Sequence, residues 1–540
     1  MTLLDWLIGC TLFLAVLIVG MLRRRKPASL AERFTADRQL PWYLLGGSMA
    51  ATAFSADTPL LVAGAVYQDG LAGNWFWWAT APGALATLYF FARLWRRSGV
   101  ITEMEVFELR YGHRATARRF RALKALIDGI VVNALVIASI GFAFGLLIRA
   151  FAERLGPTAL SFSWSTGVAM AMLVVIGMHT ILAGFRGVVR TEVLAFLVAI
   201  SASCLVVWFA LPMLPHGLDD VRQAAGNRSA QPVFDVLPDS FTTFALVLGL
   251  GWLHSAPGNG MLVQRMVAAR DERDAARIVL TYTVLHYLIR PWPWYLVGGI
   301  ALVIFPWLDT PELAFPMVAM AHLPGGAAGL LVAALALAAG GSINSRLNFG
   351  ASLAVNDILP LLLTSMDDRT RLRIERATIG FIVLSAMAMV GIGVISSIRG
   401  FYQFFIVLSA GTAFAAIARW YWWRMTIRSE IGALIGALIG ATLMAAIGDV
   451  ADPDAFALML GVNLVFGALI ACVLADWKAR VPDEAALRFA ARVRPGGPGW
   501  RPVPNGDGRL RRNTVRWTIH VAALFAAIAA VAAVLGGPRP

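Results

Sequence analysis

The chain has 540 residues, of which 59% are hydrophobic and only 14% charged, whereas a soluble domain carries roughly a quarter charged residues. That excludes a water-soluble enzyme or a disordered scaffold, and repeated apolar runs of about twenty residues make it an all-α polytopic membrane protein held in a lipid bilayer. The net charge of +14 is not one patch: the bases fall in short loops between apolar runs, which is a topology signal and not a nucleic-acid surface.

Residues 3–22 form the first apolar run. Its basic residues (Arg23, Arg24, Arg25 and Lys26) follow the run instead of preceding it, so it reads as a retained helix ending in the cytoplasm and not as a secretory leader. The second run, 41–66, is apolar enough to cross a bilayer, yet Gly46 to Leu60 places Asp57, several hydroxyls and Pro59 near its middle. A carboxylate in hydrocarbon costs several kcal/mol and usually faces a cavity or a partner. Broken backbone at that depth survives only where protein or water satisfies it.

About fourteen spans are expected in all, near 3–22, 41–66, 72–94, 124–150, 161–185, 191–214, 241–259, 278–306, 325–350, 375–398, 401–423, 430–448, 455–475 and 516–536. The arginine-rich loops after the third, seventh and ninth spans and before the last all fall on one side, taken as the cytoplasm, so both termini are expected outside. The stretch 101–121 reads as an amphipathic helix on the lipid surface. Trp75, Trp77 and Trp78 read as an interfacial belt. The glycines between Gly436 and Gly440 read as a close helix contact. Three units are expected: 1–40, a first helix and cytoplasmic linker; 41–425, a ten-helix transport core; and 426–540, further helices with a basic cytoplasmic loop.

The seventh span is interrupted like the second, around Gly249 to Gly258. The two breaks lie five spans apart, so each opens a five-helix half, and the halves run in opposite directions. Paired interruptions at matching places in inverted halves point to the binding site of a transporter. The backbone at Ala51 and Phe54 offers oxygens to a small hard cation, and the ninth span offers Ser342, Asn344 and Ser345, which equally read as small residues permitting close contact. Asp57 is either a substrate or proton-coupling carboxylate or a structural acid. Arg290, beside Tyr287 and Pro291, binds an anionic group, pairs with Asp57 or Asp128, or snorkels to an interface; a permanent charge at depth needs a partner in every case. His254 is a proton switch or substrate donor, or a satisfied core histidine. Asp128 and Asn133 are candidates for the same cavity. No zinc cluster, nucleotide-binding loop or nucleophile elbow is present in the sequence, so no enzyme and no organic cofactor are expected.

Ala50 to Gly70 with Asn74-Trp75-Phe76-Trp77, Arg110-Tyr111-Gly112, Gln264-Arg265-Met266 and Gly341-Ser342 followed by Asn348 and Asn356-Asp357 resemble the sodium/solute symporter family over residues 5–475. The resemblance implies a LeuT-like 5+5 inverted-repeat core in spans two to eleven. It implies a sodium site on the backbone of Ala51 and Phe54, the carbonyl of Ala338 and the hydroxyl of Ser342, with Gly341 standing where many members have a second hydroxyl. It places substrate near Asp57 and Thr58, with His254 and Arg290 as further candidates. The expectation is a sodium-coupled symporter of a small organic solute in a bacterial inner membrane. A proton-coupled transporter or a non-transporting membrane sensor on the same fold is the alternative.

Overall fold

The computed structural model describes residues 3–21, 38–153, 162–225, 232–238, 240–363, 367–446, 452–500 and 508–537. The basic run Arg23 to Lys26, Arg228 and Asp239 lie outside them. Among the described residues no strand forms beyond an isolated bridge between Ala225 and Pro232. The principal helices are α1 (Leu3–Met21), α2 (Trp42–Thr52), α3 (Asp57–Asp69), α4 (Asn133–Glu153), α5 (Phe162–Ala210), α6 (Phe241–Leu250), α7 (Gly260–Val267), α8 (Glu272–Thr283), α9 (Trp292–Ile304), α10 (Ala327–Leu353), α11 (Asp368–Gly391), α12 (Ile398–Tyr421), α13 (Ile427–Ala445), α14 (Pro453–Val473) and α15 (Leu510–Gly536).

Among the described residues nine helices are long and apolar enough to cross a membrane, ten when α2 and α3, bent by 60° at their junction, are taken as one span. The chain is thus a multi-pass helical membrane protein. The other expected spans, near 3–22, 72–94, 241–259 and 430–448, are also helical over their described parts, those near 72–94 and 241–259 as short interrupted pieces. The α5 run is helical over 49 residues and holds two apolar spans, Trp164–Leu182 and Thr191–Met213.

Helix α10 is the buried axis, with 89% of its most apolar stretch inside the protein. It packs against α5, α1, α4, α11 and α2. Its sequence explains this: small residues from Ala333 to Ser345 let neighbouring backbones approach closely. Asp5 of α1 accepts the backbone N–H groups of Gly326 (2.6 Å) and Gly329 (3.1 Å), satisfying orphan donors at the N-terminus of α10. Gly329 cannot carry a side chain there, because a Cβ would sit 2.0 Å from the Asp5 carbonyl oxygen. The glycines of α13 make the close contact their sequence suggests: a Cβ on Gly440 would meet Asn463 at 2.3 Å.

Two expectations fail here for the same reason. Residues 101–121 do not form one free surface helix: the short helix Glu105–Tyr111 and the start of the helix Ala115–Leu126 bury Val106, Phe107, Arg110 and Phe120 in the protein. Arg110 is buried and donates to the carbonyls of Arg419 (2.9 Å), Trp422 (3.2 Å) and Trp423 (3.0 Å), capping α12, whose last carbonyls have no helical partner. Arg121 pairs with Asp357 (2.6 Å) and Glu108 (2.9 Å). Trp75 and Trp78 are not an interfacial belt: both are buried, and the Trp78 indole donates to the Tyr295 hydroxyl at 2.7 Å. In both segments an amphipathic pattern that suits a membrane interface suits an inter-helix interface equally well.

Candidate functional site

The break between α2 and α3 spans Ala53 to Ala56. The Ala51 carbonyl accepts the Phe54 N–H (3.0 Å), and the chain restarts with Thr58 N–H on the Ser55 carbonyl (3.2 Å). Asp57 is the first residue of α3, where exposed N–H groups favour a negative charge. Its carboxylate is fully buried and accepts three hydroxyls, from Ser55, Thr58 (3.4 Å) and, across the protein, Tyr402 of α12 (2.6 Å).

Arg290 does not pair with Asp57 or Asp128, as the sequence allowed; Asp128 is held by Lys124 at 2.9 Å. The guanidinium of Arg290 is fully buried and donates once, from Nη1 to the Ala50 carbonyl at 3.2 Å. Its central carbon lies over the rings of Phe54 (5.5 Å), Trp294 (5.7 Å) and Trp77 (5.9 Å). Among the described residues its Nε and Nη2 have no hydrogen-bond partner. The backbone explains its placement. Residues Val284–Ile289 form a widened π-type turn, closed by the Arg290 N–H on the Leu285 carbonyl (3.1 Å), because Pro291 has no N–H to continue the regular ladder.

Trp77 links Arg290 to a second group. Its indole donates to His286 Nε2 at 3.1 Å. An indole N–H cannot accept, so this contact makes Nε2 the acceptor and puts the proton of a neutral ring on Nδ1. His286 Nδ1 is buried and has no partner. Thr80 spends its proton on the Trp77 carbonyl (2.7 Å) and so receives one from Tyr287 (2.7 Å).

The elements of the expected cation site meet. Helix α2 touches α10, and Thr52 Oγ1 lies 3.4 Å from Ser345 Oγ, one turn past Ser342. Ser342, which carries a hydroxyl, is buried. The carbonyls of Ala51, Phe54 and Ala338 with this hydroxyl are all neutral oxygens, a donor set suited to a hard monovalent cation. Among the described residues no group of three His, Cys, Asp or Glu could hold a metal ion. At Gly341 an added Cβ would stand 3.2 Å from Glu192 Cγ. The place of a missing side chain is therefore faced by Glu192 of α5.

Glu192 was not singled out in the sequence, and Arg265 was read as loop charge; both have no exposed side-chain surface. Arg265 of α7 pairs with Glu192 at 3.1 Å and donates to Thr52 at 2.9 Å, to Ser48 at 3.3 Å and to Ser345. Glu192 also accepts from Ser48, Thr52 (3.2 Å) and Ser345. This cluster ties α2, α5, α7 and α10 together. The only prior signal was a glutamate within an apolar run, at Thr191-Glu192-Val193.

His254 stays apart from these groups. Its Nδ1 contacts the Gly251 carbonyl of its own turn at 2.6 Å. That turn touches the core through Ser255, which lies 3.3 Å from the Thr80 carbonyl. Asn133 donates to the Arg346 carbonyl (3.0 Å) and so braces α10. A cleft of about 250 Å³ lies along α3 beyond the break, lined by Leu61, Gly64, Gln68, Glu312, Ser397 and Arg399, and Arg399 closes one wall by pairing with Asp69 at 2.5 Å.

Residues 33–440 match the family model described as Sodium:solute symporter family. The chain is similar to the sodium/iodide cotransporter of Homo sapiens, 25% identical over 70% of this chain and 58% of that protein. It is similar to the sodium/glucose cotransporter of Vibrio parahaemolyticus, 24% identical over 61% of this chain and 63% of that protein. A sodium/sialic acid symporter of Aliivibrio fischeri is 22% identical over 67% and 71% respectively. The matches thus span about six-tenths of the first two relatives. Among solved structures, a substrate-bound, outward-open Na⁺-coupled sialic acid symporter aligns with a TM-score of 0.67 at 17% identity, covering 88% of this chain and 98% of that one. Mhp1, a nucleobase-cation-symport-1 family transporter, aligns with a TM-score of 0.50 at 15% identity, over 87% and 99%. At these identities the structural likeness speaks for the fold.

Proposed function

The chain belongs to the sodium:solute symporter family, and on that premise we propose that it is a sodium-coupled symporter of a small organic solute that works by alternating access. The reading rests above all on the 60° break between α2 and α3, set against Ser342, a polar residue buried on α10. Sodium sits among the carbonyls of Ala51, Phe54 and Ala338 and the Ser342 hydroxyl. Solute sits just beyond the break, beside Asp57, Thr58 and Arg290, with His254 on the flanking turn. Sodium binding favours one of the two open states, because only a difference in affinity between states shifts their balance. The chain lies in a bacterial inner membrane with both termini outside, and residues 41–425 form the transport core.

The test is stabilisation of the purified full-length protein by sodium. Its melting temperature rises with sodium chloride and not with choline chloride, following the mass-action form for a ligand that binds the folded state. Ser342→Ala shifts this response to several-fold higher sodium while leaving expression intact. A response identical in sodium and choline, in both proteins, overturns the coupling assignment. Stabilisation on acidification in place of the sodium response assigns the driving ion to the proton.

A further inference from the structure

The geometry points to a carboxylate as the group by which the solute is recognised, held edge-on by Arg290 Nε and Nη2 with the His286 Nδ1–H beside it. This rests on the reading of the chain as a solute symporter and specifies the class of solute. A buried polar atom without a partner is costly, and a buried charge more so. Among the described residues three donor atoms stand unpartnered around one tryptophan: Nε and Nη2 of Arg290, whose guanidinium carbon lies over the Trp77 ring, and Nδ1 of His286, whose Nε2 the same indole occupies.

The choice among anions follows from which atoms are free. Nη1 is engaged by the Ala50 carbonyl, which leaves the Nε–Nη2 edge of the fork. These two N–H groups run parallel, at a spacing that matches the two oxygens of a carboxylate. A spherical halide must take both N–H groups on one atom, whereas a carboxylate gives each its own oxygen in a linear bond. The negative side chain within the protein is already provided for: Asp57 takes its hydrogen bonds from Ser55, Thr58 and Tyr402 and forms no ion pair with Arg290. The guanidinium carbon lies over the rings of Phe54, Trp77 and Trp294, an apolar surround that keeps water from the charge and strengthens its pairing with an anion.

The test uses purified full-length protein and three matched probes, acetate, lactate and phenylacetate, each compared with its neutral amide up to about 100 mM, in sodium and in choline buffers. Melting temperature is read as a function of concentration. At least one acid should stabilise the protein saturably while its amide does not. Arg290→Gln should abolish the acid's effect, Arg290→Lys should weaken it at least tenfold because a point charge lacks the fork, and His286→Phe should weaken it several-fold. Acids that act no better than their amides, an acid response unchanged in Arg290→Gln, or stabilisation by iodide and chloride in place of acetate would each overturn the inference. The sodium arm separates it from the function proposed above: an acid response equal in sodium and choline keeps the carboxylate site and removes sodium coupling.

Discussion

Arg265 and Arg290 are both fully buried arginines of the same chain, and they are provided for in opposite ways. Arg265 faces a carboxylate and three hydroxyls from three other helices. Arg290 has one backbone carbonyl, three aromatic faces and two unpartnered nitrogens. Burial alone therefore does not distinguish a structural charge from a binding one. A buried charge whose donors are all used holds helices together. A buried charge with a free edge is held in readiness for something outside the chain.

The largest effect that tests this contrast is removal of one partner from the saturated cluster. Arg265→Ala leaves Glu192 charged and buried, and Glu192→Ala does the reverse. Each is expected to cost about 3–5 kcal/mol, read as a collapse of melting temperature or of folded yield. The double variant Glu192→Leu with Arg265→Met should cost far less than the sum, since neither charge is stranded. Additive losses would show that the two groups act independently. Next in size is Tyr402→Phe, which removes a hydrogen bond to the Asp57 carboxylate and should cost about 1.5–3 kcal/mol; no loss would show that Asp57 does not depend on α12. Arg290→Met should change stability by no more than about 1 kcal/mol, in either direction, because it removes a charge that the fold satisfies poorly. A loss as large as that of Arg265→Ala would erase the distinction between the two arginines.

The smallest expected effect is a slope and not an offset. Glu103, in the loop preceding the short helix Glu105–Tyr111, accepts the Gly260 N–H at 2.6 Å, and its burial, reinforced by the charge of Asp128, pushes its carboxyl up to about 8. The folded chain then keeps a proton that the unfolded chain releases near the ordinary value of 4.5. The contribution of this group is complete below that value and is lost as pH rises toward 8. Glu103→Gln keeps the acceptor and should flatten the fall in stability over that window; an unchanged pH profile would place the titration elsewhere. Like Arg290, this is a group whose buried charge the fold does not complete.

Part of the site was legible because its signal is local. Asp57 beside Pro59, the interruption around Gly249 to Gly258 and the small polar residues from Ser342 to Ser345 each violate the apolar pattern of their own span, and a violation inside a span is visible without knowing the neighbours. Arg290 was visible for the same reason, but its partner was not. The sequence left open a pair with Asp57 or Asp128. The structure gives Asp128 to Lys124 and Asp57 to Tyr402, 345 residues away. Arg265 and Arg110 were read as loop charges because each sits in a basic, polar stretch. Which way such a residue turns depends on helices that lie far away along the chain: Ser48, Thr52 and Glu192 for Arg265, and the end of α12 for Arg110. Trp77 was read as interfacial because an indole suits both a membrane boundary and a buried hydrogen bond, and only the arrival of His286 decides between them.

Composition and hydropathy by themselves determined that this chain is a helical membrane protein, and the paired interruptions determined where its backbone leaves the regular ladder. Both follow from the bilayer, which demands apolar length and internally satisfied backbone from each segment separately. The assignment of partners belongs to the tertiary structure. Glu192 lies against Gly341, Arg265 against Glu192, and the free edge of Arg290 against no acid at all. Those pairings join residues on different helices, 73 positions apart in the case of Arg265 and Glu192, and their energies depend on distances of a few ångströms that no local pattern encodes.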